Sequence, residues 1–218
     1  IMGLTTREED FVEKLLITSS HDMILFITTF GRVYSLKGYE IPDAGRTAKG
    51  IAIVNLLQLQ PEEKVATMIP ITGFDDGKYL VIATKSGIIK KTELKAYSNM
   101  RKGGLIAVEL RDEDELINAH LVDEDQDIMM VTRKGMSIRF NEKDVRATGR
   151  DSIGVKGITL REDDYVISMD ICKPGDSILI VTEKGFGKRT DVEEYRPQTR
   201  GGKGLLTYKI SEKTGELV

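Results

Sequence analysis

A short glycine-rich segment near the end of the chain places two cations on a backbone with very little side-chain bulk. Residues 198–204 read Gln-Thr-Arg-Gly-Gly-Lys-Gly. Glycine adopts positive φ readily and lets backbone N–H groups approach another molecule closely, so a loop of this composition is suited to gripping phosphate groups. The same composition also occurs in ordinary tight turns. The residues that we predict to contact a phosphate backbone are Gln198, Arg200, Gly201, Gly202, Lys203 and Gly204.

Three earlier loops share this arrangement of an arginine, a following lysine and a terminal glycine. They lie at residues 45–50, 100–104 and 149–157, and each leads into an apolar segment. A cationic loop that recurs in this way is better explained by one repeated task than by unrelated turns. We therefore predict that the cations of these loops contact the same phosphate backbone: Arg46, Lys49, Arg101, Lys102, Arg150 and Lys156.

The elements that carry these loops are four short apolar runs, each followed by a glycine turn. The turn glycines are 56, 48 and 50 residues apart, at Gly31, Gly87, Gly135 and Gly185. Short runs rich in β-branched residues and bounded by Gly, Asp and Lys are typical of strands buried on both faces rather than of helices. Each glycine therefore predicts a turn between two antiparallel strands.

Further strands complete each unit in this interpretation. We predict them at residues 51–57, 65–70, 105–110, 116–122, 158–160 and 166–171, with small helical turns near 92–97 and 191–195. About four strands per fifty residues, repeated along a chain, is typical of blades arranged around an axis. The sequence therefore predicts one all-β, propeller-like domain of four-stranded antiparallel blades over residues 1–218. Its repeat units are expected at about 19–70, 71–122, 123–171 and 172–218.

Charge alternates along the chain with the period of the repeat. Residues 85–102, 133–156 and 184–203 carry an excess of basic side chains, whereas residues 109–127 carry nine acidic side chains and one basic. The formal net charge of −3 therefore hides strong local fields. If the units fold alike, the basic segments share one surface and the acidic segments face away from it. The second strands are expected to add cations to this basic rim: Lys90, Lys91, Arg139, Lys188 and Arg189.

Spacing argues against several other kinds of site. The single cysteine, Cys172, forms no internal disulfide and suits a reducing cytoplasm. The two histidines lie far apart with no cysteine cluster near them, so we expect neither a metal site nor a cofactor. Residues 123–127 carry three alternating aspartates, but Ile128 and Lys134 replace the glycine and glutamate of a calcium loop. No apolar run has the length of a membrane span, and no nucleophile–base pairing indicates catalysis.

The fourth loop and its flanks resemble a known family. Residues 198–204 resemble the gyrase A box of the C-terminal domain of the DNA gyrase A protein, and the segments at 37–50, 155–160, 182–190 and 194–196 are similar to that family too. The resemblance covers essentially the whole chain. It implies a β-pinwheel, in which propeller-like blades exchange strands with their neighbours and a basic rim wraps DNA.

Two departures from the family pattern accompany this resemblance. Thr199 stands where the family's box has a second basic residue, and residues 1–9 resemble the segment that follows the box of the first blade. The main box is therefore expected upstream of Ile1, with residues 198–204 as a later copy. Four units are fewer than in the common form of the family domain, so the chain is expected to be a fragment of it.

The function implied by the resemblance is non-catalytic. It is the bending and wrapping of double-stranded DNA, without sequence preference, in support of negative supercoiling by a type II topoisomerase. The implied partners are DNA, the remaining gyrase A domains and the gyrase B protein, in the bacterial cytoplasm and nucleoid and away from membranes. Two alternatives stay open: the equivalent domain of the decatenating topoisomerase IV, and a propeller-like protein-interaction scaffold. A scaffold would not need a cationic loop in every unit.

Overall fold

A computed structural model describes Val12 and residues 14–45, 47–74 and 77–218 of the chain. Its regular structure consists of β-strands and short 3-10 turns, which confirms the predicted all-β fold class. The strands are β1 (Met23–Thr28), β2 (Arg32–Lys37), β3 (Val65–Ile71), β4 (Tyr79–Thr84), β5 (Ile88–Glu93), β6 (Leu105–Ile106), β7 (Leu116–Val122), β8 (Asp127–Thr132), β9 (Met136–Asn141), β10 (Val155–Lys156), β11 (Val166–Cys172), β12 (Ser177–Val181), β13 (Gly187–Asp191) and β14 (Leu205–Leu206). The 3-10 turns are Gly38–Glu40, Ile53–Asn55, Leu94–Tyr97, Glu142–Asp144 and Val192–Glu194. Residues 1–9, with their family resemblance, lie outside the described residues.

Each predicted turn glycine joins two antiparallel strands. β1 pairs with β2, β4 with β5, β8 with β9 and β12 with β13. The first strands of the first three hairpins are almost wholly buried, as expected for apolar runs that pack on both faces. All four turn glycines have positive φ, the conformation that glycine adopts without strain. The predicted hairpins are therefore confirmed.

Each complete sheet combines strands from two successive units. The first sheet has the order β3-β1-β2-β6, and the next two repeat this order as β7-β4-β5-β10 and β11-β8-β9-β14. β6, β10 and β14 follow the glycine-rich loops of the next unit, so each sheet takes its fourth strand from the unit that follows. This is the strand exchange that the resemblance implies. Because sheets and sequence units do not coincide, the unit boundaries stay a prediction.

The chain that follows each exchanged strand crosses over a turn glycine of the preceding hairpin. Two consecutive N–H groups, those of Ala107 and Val108, donate to the carbonyl of Gly31 at 2.8 and 3.2 Å, and the next two hairpins repeat this pair of contacts. At Gly135, where φ is +85°, an added Cβ would lie 2.2 Å from the carbonyl oxygen of Tyr208. Glycine is therefore required at this turn by the backbone conformation and by the crossing chain together.

The hydrophobic core lies between neighbouring sheets. One buried cluster joins the first and second hairpins and includes Leu25 and Ile82, and another joins the second and third hairpins and includes Val81 and Phe140. Each sheet therefore has a neighbour on its face, which explains why its strands read as continuous apolar runs. Among the described residues, no helix is long and apolar enough to cross a membrane.

Two of the predicted strands are wrong, and the fourth sheet is shorter than expected. Residues 51–57 contain the 3-10 turn Ile53–Asn55, whose apolar neighbours cover the outer face of the first sheet instead of pairing with it. Residues 158–160 form no strand, because pairing in that region ends with β10. In the described part of the chain the fourth sheet consists of β12 and β13, with one bridge from Thr182 to Leu217. The predicted helical turns near 92–97 and 191–195 are present.

Candidate nucleic-acid interface

Successive glycine-rich loops are linked across the blades, because a loop contacts the chain that follows the preceding loop. They are named here loop 2 (residues 100–104), loop 3 (residues 149–154) and loop 4 (residues 199–204). Loop 3 contacts the chain just after loop 2, where the N–H of Glu109 donates to the carbonyl of Ser152 at 3.3 Å. Loop 4 contacts the chain just after loop 3, where the N–H of Gly201 donates to the carbonyl of Gly157 at 2.7 Å. The three loops therefore form a continuous series, the loop row.

Two half-buried arginines fasten the loop row through backbone carbonyls. Arg200 donates from Nε to the carbonyl of Asp144 at 3.0 Å and from a terminal nitrogen to the carbonyl of Lys156. Arg150 donates to the carbonyl of Ile106 at 3.4 Å. Ile106 and Lys156 are the last residues of β6 and β10, so the two arginines make equivalent contacts in successive units. These guanidinium N–H groups are used within the protein. Phosphate contacts by the other N–H groups of Arg150 and Arg200 stay a prediction.

Two glycines of loop 4 lie close to neighbouring backbone of the protein itself, and phosphate contacts by this loop stay a prediction. The N–H of Gly201 is already used within the loop row, and its carbonyl accepts from the hydroxyl of Thr159 at 2.7 Å. At Gly204, where φ is +74°, an added Cβ would lie 2.4 Å from the carbonyl oxygen of Ser137 on β9. The N–H of Gln198 donates to the carbonyl of Arg139 at 2.7 Å. Contacts of Gly202 with a ligand stay a prediction.

Seven of the predicted cations are exposed. Apart from Lys188, whose ammonium lies 5.8 Å from the centre of the Tyr208 ring, their side chains have no hydrogen bond or ion pair within the described residues. They are Lys49, Arg101, Lys102, Lys156, Lys188, Arg189 and Lys203. Lys156 lies on β10 rather than in loop 3, which ends at Gly154. These side chains are the ones that the fold leaves available to a polyanion.

The structure buries Lys90, which corrects its predicted place on the exposed rim. Its side chain is 1% exposed, and its ammonium group donates to the carbonyls of Ala107, at 2.6 Å, and of Arg150. Burial lowers the pKa of Lys90 to about 8, because a charged ammonium loses its hydration there; Asp151 raises this pKa and Arg150 lowers it. Lys90 therefore ties loop 3 to the chain that follows loop 2.

Lys91 and Arg139 are also corrected, because they are used between blades. Lys91 is 7% exposed and forms an ion pair with Glu142, in which both side chains are buried. Arg139 has a side chain that is 12% exposed and pairs with Asp127 at 2.8 Å. Neither side chain is free to follow a duplex across the surface. Arg46, the first predicted loop cation, lies outside the described residues.

Two further cations were missed by the sequence-based site prediction. Arg146 and Arg196 are both exposed, and each follows the buried residue, Val145 or Tyr195, that comes directly after a 3-10 turn. Their shared position in the repeat was a usable signal. They precede loops 3 and 4, so they extend the set of cations beside the loop row.

The acidic segments are only partly separated from the basic ones. Asp114 bonds to Ser86 and Asp164 to Thr132, so these two turns sit against the glycine hairpins. The prediction that residues 123–127 face away from the cations is wrong at two positions, because Asp125 pairs with Lys143 and Asp127 with Arg139. The single basic surface that the alternation suggests therefore stays a prediction.

The chemistry available on this surface is electrostatic. The described residues contain no group of three or more His, Cys, Asp or Glu side chains placed to hold a metal ion. The buried Cys172 has its pKa raised to about 11, mainly by loss of hydration, so it is a poor nucleophile. What remains is a row of docked loops beside exposed lysines and arginines. Such an arrangement suits a long polyanion whose backbone, rather than its bases, is contacted.

Comparison with known proteins gives the family. A family model described as the DNA gyrase C-terminal domain, beta-propeller, matches the chain four times, at residues 22–72, 78–123, 126–173 and 176–218. The DNA gyrase A protein of Clostridium acetobutylicum is 61% identical over 218 residues, which are 100% of this chain and 26% of that protein. The corresponding protein of Mycobacterium tuberculosis (strain CDC 1551 / Oshkosh) is 44% identical over 220 residues, again 100% of this chain and 26% of the relative. The chain thus spans about a quarter of the length of these relatives.

Solved structures agree with this assignment. The crystal structure of the C-terminal domain of DNA topoisomerase IV superposes with a TM-score of 0.86 at 27% identity, covering 98% of this chain and 67% of that one. A structure of the DNA gyrase A C-terminal domain superposes with a TM-score of 0.78 at 31% identity, covering 92% of this chain and 65% of that one. The shape is common to both enzymes, whereas the family model and the 61% identity specify gyrase. The chain therefore belongs to the DNA gyrase C-terminal domain family, a beta-propeller family.

Proposed function

We propose that the chain binds double-stranded DNA along the loop row, without sequence preference, and bends it. The observation that carries this proposal is the docking of three successive glycine-rich loops into one row beside exposed cations such as Lys102, Lys156 and Lys203. Each phosphate contact releases condensed counterions, which favours binding at low salt and reads no base sequence. A blade-to-blade rotation turns such a row into a curved track, and a duplex that follows it must bend.

The energetic balance favours bending when the track supplies enough contacts. Smooth bending of a duplex of about 20–30 bp costs of the order of 1–6 kcal/mol. This cost is offset when enough cations along the row reach phosphates. The net charge of −3 does not oppose such binding, because the exposed cations act within about 10 Å, the Debye length at 0.1 M salt.

In the whole protein, we infer that this domain supports negative supercoiling by DNA gyrase. It supplies no catalytic residue of its own, and its partners there are the remaining gyrase A domains and the gyrase B protein. The expected location is the bacterial cytoplasm, in association with the nucleoid. The alternative, the matching domain of topoisomerase IV, shares the fold at a TM-score of 0.86 but only 27% identity, against 61% identity to the gyrase relative.

The test is a ligation assay with relaxed circular DNA, run beside binding titrations at several salt concentrations. Nicked circles are closed in the presence of the chain, and the topoisomer distribution reports the writhe that each bound molecule constrains. A shifted distribution, together with equal affinity for duplexes of unrelated sequence, is the expected result. Binding without a shift would leave a DNA-binding domain that does not wrap. Phosphate contacts bind more strongly at about 50 mM salt than at higher salt. If the chain binds no DNA under that condition, the protein-interaction scaffold is favoured.

A further inference from the structure

The same position of successive hairpins carries a cation that reaches into the next blade. The fourth residue after the turn glycine is Lys91 in the second hairpin, Arg139 in the third and Arg189 in the fourth, whereas the first hairpin has Ser35. Lys91 and Arg139 both lie opposite the first strand of their own hairpin and both contact a 3-10 turn that follows the next hairpin. The contact is therefore a repeated feature of the fold.

Lys91 binds both parts of Glu142, the first residue of the 3-10 turn Glu142–Asp144. Its ammonium donates to the backbone carbonyl of Glu142 at 3.0 Å and to the carboxylate at 2.5 Å. It also lies 5.1 Å from the centre of the Tyr79 ring in its own hairpin. A buried ammonium is tolerated only when it is paired and hydrogen-bonded. The ammonium is thus held by groups of two successive blades at once.

Arg139 makes the equivalent contact one blade further on. One terminal nitrogen donates to the carbonyls of Val192 and Tyr195, at 2.8 and 3.0 Å, at the 3-10 turn Val192–Glu194. Its Nε donates to Asp127 at 2.8 Å, which holds the guanidinium against its own hairpin. A guanidinium is planar, and its donors have a fixed geometry. Two carbonyls on one side and a carboxylate on the other therefore define an orientation as well as a contact.

A backbone hydrogen bond runs beside each of these cations. The carbonyl of Lys91 accepts from the N–H of Thr148 at 2.9 Å, and the carbonyl of Arg139 accepts from the N–H of Gln198 at 2.7 Å. Thr148 and Gln198 are the residues that lead directly into loops 3 and 4. The cation and this bond together join a hairpin to the start of the next cationic loop. The position of that loop therefore depends on the same contact.

We propose that Lys91 and Arg139 are positioning residues that fix the angle between successive blades and thereby the curvature of the loop row. The inference rests on the proposed DNA-wrapping function. It assigns to these two cations the shape of the track rather than contact with phosphate. The apolar clusters hold the blades together, and the cation–turn contacts select one orientation among those that such non-directional packing permits. At the boundary between the first two blades this position is occupied by Ser35, which carries no cation for such a contact.

The experiment replaces the cation by an uncharged, unbranched side chain in the full-length chain. The variants are Arg139→Met and the pair Lys91→Met with Glu142→Gln, which avoids leaving a buried carboxylate without its partner. Because three boundaries share the bend, the writhe constrained per bound molecule is expected to fall by roughly a third for each altered boundary. Affinity at 0.1 M salt is expected to change less than about threefold, because no phosphate contact is lost. Lys91→Arg and Arg139→Lys keep the charge, so these variants should retain part of the writhe that the Met variants lose.

The matched control is Arg189→Met, which removes a cation from the same position of the repeat. Arg189 is exposed and fastens no blade among the described residues. As a predicted phosphate contact, Arg189 should reduce the log–log salt slope by about one unit when it is removed, and the writhe per bound molecule should fall less than in Arg139→Met. A loss of writhe equal to that of Arg139→Met would overturn the proposal.

A readout without DNA separates this inference from the proposed function. Spin labels at the exposed positions Asn99→Cys and Glu124→Cys report the distance between the second and third blades, and Cys172 stays unlabelled because it is buried and has a raised pKa. The pair Lys91→Met with Glu142→Gln should broaden or shift this distance, and Lys91→Arg should restore it. Unchanged distances, with the variant folded, would overturn the inference. Changed distances in a chain that does not wrap DNA would refute the proposed function and leave the positioning role intact.

Discussion

Exposed lysines in the loop row and directly beside it give a quantitative test of which cations hold the DNA. Replacing Lys102, Lys156 and Lys203 together by Gln removes three charges that are exposed and that have no partner within the described part of the chain. Each phosphate contact contributes about 0.9 to the log–log salt slope, so three contacts should reduce this slope by about 2.7. At about 0.1 M salt the same three contacts correspond to a loss of affinity of up to about 500-fold. Stability should change by no more than about 0.5 kcal/mol for each substitution, because the side chains are exposed.

The control for this triple variant has the same change in net charge at other sites. Lys64, Lys173 and Lys209 are exposed and lie outside the loop row, so their replacement by Gln also removes three positive charges. The assay is a binding titration by fluorescence anisotropy with one duplex at four salt concentrations. A slope reduction of about 2.7 for the loop-row variant and of less than about one for the control is expected. Equal losses in both variants would show that overall charge, and not the loop row, determines binding.

Three further predictions concern the protein without DNA. Folding lowers the pKa of Lys90 from 10.5 to about 8. Between these two pH values the native chain has released a proton that the unfolded chain still holds, so the free energy of unfolding rises with pH. The contribution of Lys90 to this rise should be up to about 3 kcal/mol between pH 8 and pH 10.5. Lys90→Met should lack this rise in urea unfolding. Gly135→Ala should lower the free energy of unfolding by at least about 2 kcal/mol, because both the positive φ and the carbonyl of the crossing chain oppose a Cβ. Gly185→Ala should lower it by about 1 kcal/mol, because φ is positive there too but the space around the glycine is open. Arg200→Ala should speed hydrogen exchange in loop 4, and Lys203→Ala should not.

Each of these has an outcome that would contradict it. A pH profile of Lys90→Met parallel to that of the unaltered chain would place the titration elsewhere. Equal costs for Gly135→Ala and Gly185→Ala would mean that the crossing chain yields easily. Equal exchange rates for the two loop 4 variants would show that Arg200 does not hold the loop.

Local sequence signals carried the prediction of the hairpins and of the all-β class. A short apolar run followed by a turn glycine specifies strand, turn and strand through neighbouring residues alone, and all four hairpins were found. The glycine-rich loops were also recognised from neighbouring residues alone, since a glycine often marks a position with positive φ, as Gly204 does. Short-range patterns failed at residues 51–57, where apolar side chains cover a sheet face and do not pair with an edge.

The sequence by itself therefore determined the repeat, the turns and the supply of cations, whereas the tertiary structure decided which cations remain exposed. Lys90 and Lys91 occupy the same hairpin positions as Lys188 and Arg189, and both pairs read locally as two adjacent cations. The first pair is buried and the second is exposed. The difference comes from residues far along the chain: the carbonyls of Ala107 and Arg150 accept from Lys90, and Glu142 pairs with Lys91. No such neighbours cover β13 in the described structure, and burial depends on neighbours that a local pattern cannot contain.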